Sequence, residues 1–451
     1  MNRTSVELGT GPFHFSNNSL NTESIMTSKW SVFTTDEAAL FHSEKQLREN
    51  GTDLMSSLYG MSSRKWIRFL SNASIVDYIH PRIDNVSVSI HVPPCHTYGK
   101  HRSFSMPVVP FDKLNSLSRA IFEATGIPLE DAHILADHLT TSNLLGHDSH
   151  GVWFMPRYVP SLQADYRPWE DHIVVADRPG FAQIDGNGAN GIVAVTKALS
   201  LAVEKARSAT IGMIALRNVS HIGRLGDFPP RIAEQGMIGI VGLNGGGEFV
   251  APYGSADRRL RPEPIAFAVP REKGPPLMLD MTLSVVAGGK VEQKIERGEP
   301  MPDGWLIDQQ GRYVNDGSRY HAEPDQVAVL PLGGLQFGHK GHGLAMMIEM
   351  IIGPLSNAGC TGGKGGGGIL IAALDIEAFM DPADYKTEIE AHVAYVGSAK
   401  PLPGFEKVYA PGEIEEDVRR QRLAEGIYIP DKTWDTISET AAGLGVEMPA
   451  I

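Results

Sequence analysis

His221 stands just beyond the apolar run Ile211–Leu216, in the segment Asn218-Val219-Ser220-His221-Ile222-Gly223-Arg224-Leu225-Gly226. An apolar run of that length reads as a buried strand, and loops at strand ends collect functional side chains. Imidazole titrates near neutral pH, so a histidine placed there suits proton exchange with an alcohol. Taken alone, a strand-end histidine is more often a hydrogen-bonded structural residue. The chemical reading therefore needs other parts of the chain.

A second cluster is Gly146-His147-Asp148-Ser149-His150-Gly151. Two histidines three apart share a helical face and could ligate zinc, but no further Cys, His or carboxylate at a recognisable spacing completes a site. No metal is expected. A Ser-His-Asp triad is equally unsupported, because residues so close in sequence rarely reach the required chain of hydrogen bonds. Capping of a helix by Asp148 or Ser149 is the plain structural alternative. Further on, Gly363-Lys364-Gly365-Gly366-Gly367-Gly368 satisfies G-x-G-x-x-G in the wrong context. The dinucleotide fingerprint needs a strand before it and a helix after it, whereas here an apolar strand follows. The same stretch fails as a P-loop, with Ala358 in place of the first glycine and Gly365 in place of the hydroxyl residue.

The elements that must position these groups are legible from periodicity. Leu114, Leu117, Ile121 and Phe122 make a helical stripe, and Ile127-Pro128 opens a second helix through Ile134, Leu135, Leu139 and Leu145. Ile211–Leu216, Ile238–Leu243, Ile265–Val269 and Leu277–Met281 read as buried strands, and Ile192–Ala206 and Val286–Ile295 as helices. The expected core is α/β. The glycines of Gly338-His339-Lys340-Gly341-His342-Gly343 predict a turn, followed by an apolar helix from Leu344 to about Ile352 and a strand at Ile369–Leu374. From Gly412 the tail reads as mostly helical, with a short strand at Ile427–Ile429. Residues 1–105 are rich in Ser, Asn, Thr and His without sustained period, and are expected to be a poorly structured extension.

Composition narrows the partners. The chain has 451 residues, 40 Lys and Arg against 53 Asp and Glu, and a formal net charge of −13. That balance speaks against a nucleic-acid or anionic-membrane surface and favours small-molecule ligands. Two cysteines, Cys95 and Cys360, allow no disulfide framework and fit a reducing setting. No apolar run is long enough for a membrane span, and the first thirty residues lack the apolar stretch of a signal peptide. A cytoplasmic location is expected.

From Pro107 onward the chain resembles the type-2 malate/L-lactate dehydrogenase family, especially its hydroxycarboxylate dehydrogenase members. The resemblance rests on Gly146 to Val152 with Pro156 and Tyr158, on Asn218 to Arg224, on Val250-Ala251-Pro252-Tyr253-Gly254, and on Leu279-Asp280-Met281-Thr282 with Gly289-Lys290-Val291. It continues in Gly304-Trp305-Leu306-Ile307-Asp308, Gly338 to Leu344, and Val408-Tyr409-Ala410-Pro411-Gly412-Glu413. The resemblance implies a non-Rossmann fold, with a central mixed-sheet cofactor domain at 176–345 and a mostly helical domain assembled from 106–175 and 346–451. It implies a homodimer and hydride transfer between NAD or NADP and a small 2-hydroxy/2-oxo acid. Reduction of a cyclic 2-imino acid is the alternative within the same chemistry, and a non-catalytic dimeric member is the alternative outside it.

Carried over by position, the resemblance makes His221 the proton donor and acceptor, with Ser149, His150 and Tyr158 lining the substrate pocket. Asp280, Met281, Thr282, Lys340, Gly412, Glu413 and Ile414 fall where the family contacts the dinucleotide. Two departures stand out. Phe154 occupies a position where many relatives have an arginine for the substrate carboxylate. Leu260-Arg261-Pro262-Glu263-Pro264 replaces the family's Leu-Gly-Thr-Asn-Pro, and its prolines each remove a backbone donor. A buried carboxylate needs a strongly donating partner, so Arg224, three residues after His221, is expected to take that role. Pairing of Arg224 with Asp227 at the surface is the competing expectation.

Overall fold

A computed structural model of the chain describes residues 107–360 and 367–450. The extension expected at 1–105 and most of the glycine cluster lie outside the described residues.

The chain begins with a short strand, β1 (Val108–Val109), and three helices, α1 (Phe111–Glu123), α2 (Leu129–Leu144) and α3 (Met155–Asp165). The apolar stripe of α1 is buried at Leu114, Leu117, Ile121 and Phe122, as its spacing requires. Helix α2 starts directly after Pro128 and carries Glu130 and Asp131 in its first turn, where negative charge complements the helix dipole.

Next come β2 (Ile173–Arg178), β3 (Phe181–Ala189), α4 (Gly191–Ala209), β4 (Ile211–Val219), α5 (Phe228–Ala233), β5 (Met237–Asn244), β6 (Ile265–Val269) and β7 (Leu277–Met281). They are followed by α6 (Gly288–Glu296), β8 (Leu306–Asp308), α7 (Ser318–Ala322), β9 (Val327–Val329) and α8 (Gly334–Ser356). The last elements are β10 (Gly368–Asp375), α9 (Pro382–Gly397), α10 (Glu413–Glu425), β11 (Ile427–Tyr428) and α11 (Asp431–Gly443).

The main sheet has the order β2-β3-β4-β10-β5-β6-β7. Only β3 and β4 pair in parallel; the other pairings are antiparallel. A parallel pair needs a crossover, which α4 supplies, capped by the Asn190 side chain accepting from the backbone N–H groups of Ile192 and Val193. The buried face of α4, including Ile192, Val195, Leu199 and Ala202, joins Ile184, Ile214, Leu216, Ile369 and Ile371 in one core. The two ends of the described chain meet in a second, small sheet, in which Val108 pairs with Tyr428 and Val109 with Ile427.

Two expectations need correction. The Gly338–Gly343 stretch is not a turn but lies inside α8, which begins ten residues before Leu344 at Gly334. Two of its three glycines serve packing: a Cβ on Gly341 would lie 2.3 Å from the Leu332 carbonyl oxygen, and one on Gly338 3.0 Å from Pro331. The turn itself is made by Gly333 and Gly334, at φ +95° and +61°. Second, the boundary expected at 345/346 cuts α8, and β10 beyond it sits in the middle of the sheet between β4 and β5. The boundary expected at 175/176 likewise falls inside β2.

Candidate active site

The site forms where β4 ends and α2 turns into α3. After Val219 the chain leaves the sheet, with Ser220 N–H donating to the Ala189 carbonyl at 3.0 Å and Gly191 N–H donating to Ser220 Oγ at 3.1 Å. Gly191 is required there, since a Cβ would lie 2.1 Å from the Ser220 carbonyl oxygen. The path is then held from below by a residue that periodicity marks only as part of a buried helical face. His138, fully buried on α2, accepts at Nε2 from Arg224 N–H at 2.9 Å and donates from Nδ1 to Asp227 Oδ2 at 3.0 Å. Gly223, at φ +68°, lets the ring approach; a Cβ would sit 2.1 Å from His138 Nε2. Burial lowers the pKa of His138 and keeps it neutral, which both of these hydrogen bonds need. Burial would raise the Asp227 carboxyl, but His138, Arg231 and Arg224 outweigh it and hold the group below the usual carboxylate range.

The other wall comes from the turn after α2. Asn143 accepts from Val152 N–H at 2.8 Å and donates to Asp148 Oδ1 at 2.7 Å, and a Cβ on Gly151 would collide with its side chain. Arg422 of α10 grips Asp148 through both carboxylate oxygens, at 2.6 and 3.0 Å, and also donates to the Asn143 carbonyl. A helix near the C-terminus thus shapes a turn near the start of the fold.

These supports bring together four of the expected residues. Tyr158 Oη is 2.7 Å from His221 Nδ1. The rings of His150 and His221 lie 6.1 Å apart and nearly parallel, and Ser149 Oγ is 3.1 Å from His150 Nδ1. Phe154 stacks on His221 at 4.6 Å and on Tyr158 at 5.6 Å. His221 keeps an exposed side while protein crowds the rest of the ring, and this desolvation, aided by the positive charge of Arg157, lowers its pKa to about 4. His150 is lowered to about 3, first by desolvation and then by His221 and His147. Desolvation raises the Tyr158 phenol, which keeps its proton.

Arg224 is not a surface residue. It is 3% exposed, its ion pair with Asp227 is long at 3.6 Å, and its Nε and Nη1 atoms have no hydrogen-bond partner. Its positive charge contributes to lowering the pKa of His150. Arg157, which the spacing of motifs did not single out, lies over the Trp153 ring with its guanidinium carbon 3.5 Å from the centroid.

The residues expected at a dinucleotide form a separate group beside this cluster. Asp280 Oδ2 accepts from Gly226 N–H at 2.8 Å, which ties the end of β7 to the Arg224 segment. Met278 N–H donates to the Pro411 carbonyl at 3.3 Å, and Gly412, at φ +88°, comes so close that a Cβ would lie 3.2 Å from Met278 N. Through Met278 the strand that carries Asp280 and Met281 thus lies against Gly412, which Glu413 and Ile414 follow, and Ile414 is 58% exposed. An apolar side chain, carboxylate acceptors and accessible backbone suit a nucleoside, so these residues fit the group. Thr282 is partly used, donating from Oγ1 to the Pro262 carbonyl at 3.1 Å, and Glu413 accepts from Lys407 Nζ at the same distance. Lys340 is exposed on α8 with its ammonium 5.6 Å from the Phe337 ring centroid. Among the described residues no cluster of three or more His, Cys, Asp or Glu side chains could hold a metal ion.

The sequence profile described as malate/L-lactate dehydrogenase matches residues 109–438. The chain belongs to the malate/L-lactate dehydrogenase family. It is 35% identical over 350 residues to malate dehydrogenase of Pyrococcus abyssi, spanning 75% of this chain and 95% of the relative. Hydroxycarboxylate dehydrogenase B of Escherichia coli K12 is 33% identical over 349 residues, spanning 74% and 93%. The solved structure of malate dehydrogenase from Pyrococcus horikoshii superposes with a TM-score of 0.68 at 32% identity, covering 77% of this chain and 98% of that one. Family membership makes the chain an oxidoreductase that acts on the CH–OH group of a small hydroxy acid. The family's central mixed sheet is the seven-stranded sheet, with His221 two residues beyond the end of β4.

Proposed function

We propose that the chain is an NAD- or NADP-dependent 2-hydroxy acid dehydrogenase with His221 as its proton-transfer group and Arg224 as its carboxylate clamp. The observation that supports this most is the cluster itself: an exposed imidazole hydrogen-bonded to Tyr158, followed three residues on by Arg224, a buried guanidinium with two unpartnered nitrogens whose charge is felt at His150. The bound nicotinamide would take up or supply the hydride. His221 Nδ1 faces the Tyr158 hydroxyl, so Nε2 is the nitrogen left to exchange a proton with the substrate oxygen. With Nδ1–H donating to the phenol oxygen, Nε2 carries the free lone pair that accepts the alcohol proton, and the charged ring returns it in the reverse direction. Ser149 and His150 offer hydrogen bonds from the opposite side, His150 as a neutral ring. Arg224 satisfies its free N–H groups on the substrate carboxylate, with Phe154 giving an apolar wall where an arginine is common in relatives.

The group of Asp280, Met281, Thr282, Gly412, Glu413 and Ile414 is the proposed dinucleotide contact, on a sheet that is mostly antiparallel and hence unlike the Rossmann type. The helical part is proposed to combine α1 to α3 with α10 and α11. A homodimer is proposed on the apolar side of α8, where Leu335, Leu344, Met347, Ile351 and Leu355 are exposed. No helix among the described residues is long and apolar enough to cross a membrane, and a cytoplasmic setting accords with the composition. The test is a nicotinamide absorbance screen of both cofactors against pyruvate, oxaloacetate, 2-oxoglutarate, phenylpyruvate and a cyclic imine. Turnover of the 2-oxo acids is expected. Turnover of the imine alone would transfer the assignment to imino acid reduction, and the absence of any turnover would refute the dehydrogenase reading.

A further inference from the structure

Arg157 is held in an unusual way for an exposed arginine. Its guanidinium carbon is 3.5 Å from the Trp153 centroid and 5.5 Å from that of Phe154, and those two rings meet edge to face at 4.9 Å. A guanidinium stacked on an aromatic face keeps its N–H edge available, because the ring occupies only its flat side. Among the described residues that edge has neither a carboxylate within ion-pair distance nor a hydrogen-bond acceptor. Phe154 in turn stacks on His221 at 4.6 Å, so one aromatic ring separates the unpaired guanidinium from the proton-transfer group.

Arg224 is the other cation with unsatisfied N–H groups in this region. The two act on different rings: the charge of Arg224 is felt at His150 and that of Arg157 at His221. One of these cations is buried and the other is exposed, on the far side of the Phe154 ring that stacks on His221. The net charge of −13 opposes entry of a multiply charged anion, which makes such local positive charge the means of admitting one.

We propose that Arg157 is the specificity-determining residue that binds a second anionic group, a carboxylate or sulfonate, at the far end of the 2-hydroxy acid. This rests on the dehydrogenase reading, with Arg224 holding the carboxylate beside the reacting carbon. The aromatic shelf pre-positions the guanidinium, so little side-chain freedom is lost when the anion arrives. Because the residue is exposed, its contribution is sensitive to salt.

The experiment compares the unmodified full chain with Arg157→Gln and Arg157→Lys on malate and 2-hydroxybutyrate, which have the same carbon count and differ in the distal carboxylate. The unmodified chain should prefer malate. Arg157→Gln should raise the KM for malate about ten- to a hundredfold with kcat nearly unchanged, and leave 2-hydroxybutyrate within about twofold. Arg157→Lys should recover part of the loss, and added salt should weaken malate binding in the unmodified chain more than in the Gln variant. Equal KM values for the two acids, or an equal response of both to Arg157→Gln, would overturn the role of Arg157 while leaving the dehydrogenase intact. Failure of the unmodified chain to oxidise either acid with either cofactor would remove the dehydrogenase reading, and this assignment with it.

Discussion

Replacing Arg224 by methionine separates the two roles open to this side chain. A structural ion-pair partner of Asp227 and a clamp waiting for a substrate carboxylate respond in opposite directions. The guanidinium is 3% exposed, and two of its nitrogens lack partners. Each buried unsatisfied donor costs about 1–3 kcal/mol. Against this stands a pair with Asp227 at 3.6 Å, and Asp227 keeps Arg231 at 2.5 Å and His138 at 3.0 Å when Arg224 is gone. Substitution by an apolar side chain of similar length should therefore stabilise the fold by roughly 1–3 kcal/mol, seen as a rise of about 2 °C or more in Tm. The same change removes a charge-assisted contact to the substrate, for which a loss of about 2–5 kcal/mol is typical, or roughly 30- to 5,000-fold in kcat/KM. Thermal melts and steady-state kinetics on one preparation give both numbers. A variant that melts lower than the parent yet keeps its kcat/KM would show that Arg224 serves Asp227 and not the substrate.

His221→Ala should lower turnover roughly 10²- to 10⁴-fold while NAD(P)H fluorescence quenching persists, and unchanged turnover would remove His221 from the mechanism. In the parent, oxidation needs the neutral ring; with a pKa near 4, kcat/KM for the alcohol should rise through acid pH and be flat at neutrality, while reduction, which needs the charged ring, should fall as pH rises. Glu263, buried at 1% exposure in the departing loop, is pushed up to about 10 by desolvation and then by Glu349. Its folded pKa exceeds the ordinary value of 4.5, so the folded state holds a proton that the unfolded chain releases, and stability drains away as pH climbs between those values. Glu263→Gln should thus gain more Tm over the parent at about pH 8 than at about pH 5, and an equal difference at both would contradict the shift. A chain beginning at Met106 should fold and retain full activity, since the family profile matches residues 109–438; insoluble recovery would show that the first 105 residues are needed.

Local pattern carried much of this protein. The period of Leu114, Leu117, Ile121 and Phe122, the runs that became β4 to β7, and Pro128 at the start of α2 all report constraints that act over a few residues, and the folded chain honours them. His221 was legible for the same reason, because it sits where an apolar run ends. The glycines of 338–343 misled, since a glycine demanded by close packing of α8 on Leu332 is indistinguishable in sequence from one demanded by a turn. Nothing local could place β10 between β4 and β5, because that pairing joins segments more than a hundred residues apart and is decided by which edges remain to be hydrogen-bonded. The same holds for the support of the site. Whether Arg224 is a surface residue or a buried cation with free N–H groups depends on His138, Asp227 and Gly226, and only the folded chain brings these together, by burying His138 as a neutral ring against the backbone of Arg224.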